Sequence, residues 1–367
     1  MRVQVVDPSA FTVPYDHALC AALASAGVQT ELVTSAFAYG AAPEPRGYAR
    51  RELFYRHAVG PAGSRLRRIG KLAEHVPDML RYRRHAAGAD VVHFQWLAVP
   101  LVDAPLLPRR PIVLTAHDLL PREPRLGQVR AHRQLFDAVE AVVVHSRYGA
   151  AQLVERLAVP AEKVHVIHHG AFEYLTRQPG EQSLPRDFAE VDGPVVLFFG
   201  LLRPYKGIVR LLEAWRGVRG AELWIVGRPM MRLAPLQARA PASVRFLPRF
   251  VSDSELPAFF RRAQVVVLPY SRTERFDQSG VLATALAFGT PLVLSDVGGF
   301  AEVAETGAAA LVPPNDPGAL RDAIARLLDD PRARERLAAA ARQAAAGPYS
   351  WAEAAQRTVS VYERVRR

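Results

Sequence analysis

A single cysteine, Cys20, stands in 367 residues. That excludes an intramolecular disulfide and any cysteine-rich zinc site, and makes a reducing cytoplasm the expected compartment. Lysine is almost as scarce: Lys71, Lys163 and Lys206 are the whole set, and every other cationic side chain is arginine. A GC-rich genome produces such a skew at every basic codon, so the formal charge of +11 says little about partners. No nucleic-acid-binding motif and no basic strand interleaved with aromatics occurs, so nucleic acid is not an expected partner. Neither G-x-G-x-x-G nor G-x-x-x-x-G-K-[S/T] is present, which excludes a dinucleotide fingerprint and a P-loop. A G-x-S-x-G elbow is missing too, and with Cys20 on an apolar helical stretch no covalent nucleophile is indicated. The longest charge-free stretch, Gln278 to Ser295, is broken by Gly289-Thr290-Pro291, which reads as a helix ending and a strand beginning rather than a membrane span. Near the start, Asp7 arrives before a signal-peptide core could form, so no secretory signal is expected.

What is present is the alternation of a layered α/β protein. Half of the residues are apolar and 23% are charged, and the length suits two domains with separate cores. Strands are expected at Val3–Val6, Val28–Val33, Asp90–Phe94, Ile112–Thr115, Ala141–Val144 and Val164–Ile167, with helices such as Tyr15–Ala26 and Arg147–Leu157 between them. The pattern restarts at Val195–Phe199, Glu222–Val226, Val244–Leu247, Val265–Leu268, Leu292–Leu294 and Ala309–Val312. Two Rossmann-like doubly wound sheets follow: residues 1–180, a linker at 181–193, residues 194–348, and a last helix at 349–367 expected to pack back toward the first domain.

The basic residues concentrate between Arg46 and Arg84, where eleven cations face only Glu52, Glu74 and Asp78. Within this stretch Leu66, Ile69, Leu72, Ala73 and Val76 recur at helical spacing. Such a helix either lies on anionic lipid or turns its apolar stripe to its own core, and Pro77 is expected to kink or end it.

Two segments carry chemistry. In Phe198-Phe199-Gly200-Leu201-Leu202-Arg203-Pro204-Tyr205-Lys206-Gly207 a buried strand ends, the chain turns, and a helix begins, which places Arg203 and Lys206 beyond a strand C-terminus, where they can hold a diphosphate leaving group. In Gln278-Ser279-Gly280-Val281 small residues open a helix, either as a phosphate site at its positive end or as a simple cap.

These segments, with the closing SWAEAAQRTVSVYERV helix, resemble the nucleotide-sugar-binding domain of the retaining glycosyltransferases of family 4, the group 1 glycosyl transferases of GT-B fold. TAHDLLPR, VVVHSRYGAAQLV and KVHVIHHGAF look like that family's N-terminal domain, so the resemblance covers nearly the whole chain. It implies two Rossmann-like domains facing a cleft. Arg203 and Lys206 would bind the donor diphosphate, Gly200, Gln278, Ser279, Gly280 and Val281 would lie near its phosphates and sugar, and His117 would reach the sugar. Glu302, in GGFAE, matches another family position. The family commonly uses two glutamates separated by seven residues; here Phe276 and Thr284 stand there, so ribose recognition must differ, with Thr284 donating a weaker hydrogen bond or Glu274, Asp277 or Gln278 standing in. The family's Gly-Gly turn after the first strand is replaced by Phe11-Thr12-Val13-Pro14-Tyr15-Asp16-His17, which makes Tyr15, Asp16 and His17 the acceptor-side candidates.

The expected activity is metal-independent, retaining transfer of a sugar from a nucleotide-diphosphate donor to a saccharide, lipid-linked or small-molecule acceptor. No cofactor is expected. His165, His168 and His169 are metal-like by count only, and no Asp-x-Asp pair is present. The alternatives are a catalytically silent nucleotide-binding partner, a nucleotide-sugar epimerase or a sugar phosphorylase. The expected location is cytoplasmic, with peripheral contact at the inner membrane face through Arg46–Arg84 as a further expectation.

Overall fold

Runs of β-branched and aromatic residues bounded by Gly, Pro and polar turns form short strands buried on both faces, the arrangement of parallel sheets covered by helices. The computed structural model describes residues 1–38, 40–61, 63–97, 99–119, 128–177, 180–272 and 278–367. They form two compact units, residues 1–170 with 351–367, and residues 171–272 with 278–350.

In the first unit β1 (Arg2–Asp7), β2 (Gln29–Ser35), β3 (Ala49–Phe54), β4 (Val91–Phe94), β5 (Ile112–Thr115), β6 (Ala141–Val144) and β7 (Val164–Val166) pair in parallel in the order β3-β2-β1-β4-β5-β6-β7. The strand order reverses between β1 and β4, so the loops after Asp7 and Phe94 open at the topological switch point. The second sheet contains β8 (Val195–Phe199), β9 (Glu222–Val226), β10 (Val244–Leu247), β11 (Val265–Leu268), β12 (Leu292–Ser295) and β13 (Ala309–Val312), in the order β10-β9-β8-β11-β12-β13. Its switch point lies between β8 and β11, which puts Gly200–Gly207 and Pro269–Ser271 side by side. No helix among the described residues is long and apolar enough to cross a membrane.

Three features differ from the sequence expectations, and a fourth decides between two readings left open there. The strand β3 has the charged sequence ARRELF and no alternating signature, because it is a sheet edge that buries only Leu53 and Phe54. Residues 181–193 are not a free linker: the chain passes to the second unit at Gly170–Ala171, and Phe188 is buried edge-on against Trp224 at 5.0 Å and Phe259 at 5.8 Å. The helix α1 (Val13–Ser25) takes Pro14 in its first turn, whereas α2 (Arg65–His85) does not end at Pro77 but continues to His85. It persists because its buried face on both sides of Pro77 is pinned: Tyr55 Oη meets His75 Nδ1 at 2.7 Å, the Tyr55 N–H donates to Asp78 Oδ2 at 2.7 Å, and Tyr82 Oη donates to Gln4 Oε1 at 3.0 Å. The apolar stripe of α2 does not turn to the core; Leu66, Ile69, Leu72, Val76 and Leu80 are exposed.

The last helix, Trp351–Val365, belongs to the first unit, where it packs on α1 and Tyr362 Oη meets His93 Nδ1 at 2.6 Å.

Candidate functional site

In the second unit the loop after β8 is held by three glycines in left-handed or related positive-φ conformations. At Gly227 a Cβ would overlap the Gly200 carbonyl, and at Gly207 it would overlap the Pro269 carbonyl, so backbone lies directly on backbone at both ends of the loop. Sterics alone exclude any side chain at either position. At Gly200 itself a Cβ would come within 2.9 Å of Val281 Cγ2 and 3.1 Å of Lys206 Nζ.

This packing buries Lys206, which is only 7% exposed, at the end of the turn Pro204–Lys206. Its Nζ lies 5.2 Å from the Tyr270 ring centroid, a cation–π distance that offsets part of the cost of desolvating an ammonium. Tyr270 is the hub of the cluster. Its hydroxyl lies 3.2 Å from Ser279 Oγ, and its ring packs on Tyr205 at 5.7 Å and Phe300 at 5.3 Å. Sequence reading passes over Tyr270, because a tyrosine after a strand has no signature apart from its neighbours. Arg203 is half-buried in the same loop.

Ser279 precedes the helix Gly280–Phe288, but its side chain faces Tyr270 and makes no cap, so the first-turn N–H groups keep their outward donor capacity. Gln278 Oε1 accepts from the Ser279 N–H at 3.1 Å, and its amide nitrogen is buried without a hydrogen bond. Thr284 is buried, and its hydroxyl donates to the Gly280 carbonyl at 2.9 Å. The proton expected to reach a ribose is therefore already committed within the helix. Phe276, Glu274 and Asp277 lie outside the described residues. Glu302 is buried in the first turn of Phe300–Ala304, next to the Phe300 ring that packs on Tyr270. The second unit thus gathers Lys206 and Ser279 at Tyr270, with Gly200 set against Lys206 and Val281.

The first unit holds a separate cluster at its own switch point. Asp7, at the end of β1, is fully buried and accepts N–H groups from Ser9, Phe11 and Thr12 at 3.1, 2.6 and 3.1 Å. Asp16, also fully buried, accepts from Thr12 Oγ1 at 3.3 Å. Burial raises both carboxyl pKa values, and the proximity of Asp7 raises that of Asp16 further. The pair therefore holds one proton on Asp16, facing an Asp7 carboxylate that three N–H groups stabilise. As an acceptor-side candidate Asp16 fails, since its carboxyl is enclosed and serves the loop. His17 is buried too, with Nδ1 2.9 Å from Tyr48 Oη, and burial with nearby Arg46 and Arg50 lowers its pKa to about 4. Tyr15 is enclosed by aromatic edges: His117 at 4.7 Å, His169 at 5.0 Å, Trp351 at 5.0 Å and His145 at 5.3 Å.

His117 follows β5 and stacks on Trp96 at 5.1 Å with an interplanar angle of 17°. Its Nε2 lies 3.1 Å from Gln95 Oε1 and its Nδ1 lies 3.2 Å from His145 Nε2. His145 Nδ1 in turn lies 2.9 Å from the Ile167 carbonyl. Desolvation and the neighbouring imidazoles push the His117 pKa well below the ordinary range and that of His145 to about 3, so both rings are neutral. Neutrality fixes the polarity of the chain. His145 Nδ1–H donates to Ile167, His145 Nε2 accepts from His117 Nδ1–H, and His117 Nε2 is left as an acceptor. That polarity requires the Gln95 carboxamide to be turned end for end, so that its NH2 rather than Oε1 faces His117 Nε2, which gives a partner to an amide nitrogen otherwise buried without one. His168 and His169 contact the backbone: His168 Nδ1 lies 3.2 Å from the His145 carbonyl, and His169 Nδ1 lies 2.9 Å from the Gly170 carbonyl. Among the described residues no three His, Cys, Asp or Glu side chains are grouped to hold a metal ion.

Comparison with known proteins bears on both units. Residues 15–171 match the family described as Glycosyltransferase Family 4, and residues 193–330 match Glycosyl transferases group 1. The chain is 27% identical over 248 residues to the alpha-D-kanosaminyltransferase of Streptomyces kanamyceticus, covering 64% of this chain and 63% of that protein, so it spans less than two thirds of that relative. It is 30% identical over 324 residues to the D-inositol 3-phosphate glycosyltransferase of Xylanimonas cellulosilytica, covering 80% of this chain and 76% of the relative. In fold it matches Anabaena Alr3699/HepE, solved in complex with UDP and glucose, with a TM-score of 0.76 at 19% identity over 99% of this chain and 100% of the other.

Proposed function

The chain belongs to the group 1 glycosyl transferases of family 4, with the GT-B fold, and on that premise we propose that it moves a sugar from a nucleotide-diphosphate donor to an acceptor hydroxyl, with retention and without a metal. The observation that carries this reading is Lys206, a buried ammonium at the switch point of the second sheet, beside Gly200, Tyr270 and the open helix start at Ser279. A buried cation among backbone N–H groups is suited to a diphosphate, whose developing negative charge it stabilises as the sugar leaves.

In the proposed reaction Lys206, Arg203 and the N–H groups at Gly280 and Val281 hold the diphosphate, and Glu302 and His117 contact the sugar. The bond from the anomeric carbon to the phosphate oxygen breaks, and the acceptor oxygen bonds to that carbon from the same face. The acceptor proton passes to the departing phosphate, so no side-chain base is required. With Thr284 engaged inside its helix, ribose recognition falls to Glu274, Asp277 or Gln278.

The test is a thermal-shift and calorimetric screen of the chain against UDP, GDP, dTDP and ADP and their sugar conjugates, with and without chelator. One diphosphate raising the melting temperature in both conditions supports the reading, because a ligand of the native state stabilises it. Binding that needs a divalent cation overturns metal independence, and no binding by any diphosphate favours a silent partner protein.

A further inference from the structure

An amphipathic helix on a folded unit normally buries its apolar stripe; α2 does the reverse. The face it buries is largely polar, with His75, Asp78 and Tyr82 beside Met79, and specific hydrogen bonds fix its rotation, including His75 Nε2 to Asp103 Oδ1 at 2.5 Å. Its apolar residues point outward: Leu66, Ile69, Leu72, Val76 and Leu80 are 61, 62, 63, 40 and 43% exposed. At about 100° per residue these five fall within an arc of about 120°, a stripe about 21 Å long.

The charges around the stripe are of one sign. Arg65, Arg68, Arg81 and Arg84 are exposed. Both acids of the helix are engaged elsewhere, since Glu74 accepts from the His57 N–H at 3.0 Å and Asp78 from the Tyr55 N–H and Arg81. An apolar strip edged by arginines and without a free carboxylate fits an anionic phospholipid leaflet, with the strip among the acyl chains and the guanidiniums at the phosphates. A second copy of this chain fits less well, because two such faces would bring arginines together with no acid to answer them.

We propose that α2 is the surface by which this protein lies on an anionic membrane. The inference goes beyond the transfer reaction and does not depend on it. It is tested by co-sedimentation of the full chain, without nucleotide, with phosphatidylcholine vesicles that contain or lack phosphatidylglycerol. The expected result is partitioning at least about tenfold stronger onto the anionic vesicles, weakened by salt. Ile69→Asp with Leu72→Asp, and separately Arg65→Glu with Arg68→Glu, should each lower it by about tenfold or more, with melting temperature and response to nucleoside diphosphates unchanged. Equal partitioning onto both vesicles, or unchanged binding by both variants, overturns the proposal. So does a concentration-dependent dimer that Ile69→Asp with Leu72→Asp abolishes in a protein that ignores vesicles.

Discussion

His145 Nε2 lies 3.2 Å from His117 Nδ1, and the His145 Nδ1 contact to the Ile167 carbonyl at 2.9 Å leaves only one direction for the proton between them. His117 Nε2 is thereby an acceptor, which a hydroxyl meets only as a donor and only by displacing the Gln95 amide. The His145→Ala variant frees that tautomer, and the loss of one hydrogen bond predicts a fall in kcat of up to about tenfold. The KM for donor should change less. Because burial holds both imidazoles neutral, the wild-type rate between about pH 6 and 8 should carry no inflection from His117. A pH–rate profile with a bell centred on an ordinary histidine pKa would contradict this assignment.

The diphosphate reading predicts that Lys206→Ala and Arg203→Ala each reduce transfer by about 100-fold or more, with the fold retained. Lys206→Arg should not rescue, since Nζ sits 3.1 Å from the position of a Gly200 Cβ, in space too small for a guanidinium. Near-normal turnover by Lys206→Ala and Arg203→Ala would remove the assignment.

Tyr270 supports Lys206 from below and Ser279 from the side. In Tyr270→Phe the ring remains and the contact with Ser279 is lost, so stability should fall by about 1 kcal/mol with weaker donor affinity. Calorimetry with the diphosphate found in the screen measures both. Unchanged affinity would show that Ser279 needs no positioning.

The buried acid pair has a signed consequence. Asp16 has a folded pKa raised above its unfolded value, so its contribution is fully present below about pH 4 and declines as pH rises toward the folded value. Asp16→Asn keeps a donor facing Asp7 and removes the ionisation, so the midpoint of denaturation should rise at pH 8 relative to pH 5 when compared with wild type. Asp7→Asn, by contrast, takes charge from three N–H acceptor contacts and should destabilise by about 1–3 kcal/mol at neutral pH. Identical pH dependence in wild type and Asp16→Asn would refute the shared proton.

Most strands are legible because runs such as Val195–Phe199 in β8 and Ala141–Val144 in β6 are buried on both faces and so carry a continuous apolar signal. The turn with Lys206 is legible because glycines that admit no Cβ leave a mark in the sequence. The edge strand β3 is not, since a strand that buries two residues needs no pattern. Periodicity reveals the stripe of α2 but not its direction, because His75, Asp78 and Tyr82 form a second face of the same period. The fate of Asp16 depends on Asp7, nine positions away, and on one proton that only three-dimensional proximity assigns.

The last helix closes around residues made at the beginning of synthesis: the Trp351 indole lies against Gly170 and beside Tyr15, and Tyr362 meets His93. Residues 171–350 leave the ribosome before Trp351 does, so the second unit can finish while the first still lacks part of its wall. The first unit to be translated is thus the last to be completed, and a chain stalled short of Trp351 would carry an intact second sheet beside an N-terminal unit with Tyr15 and His93 uncovered.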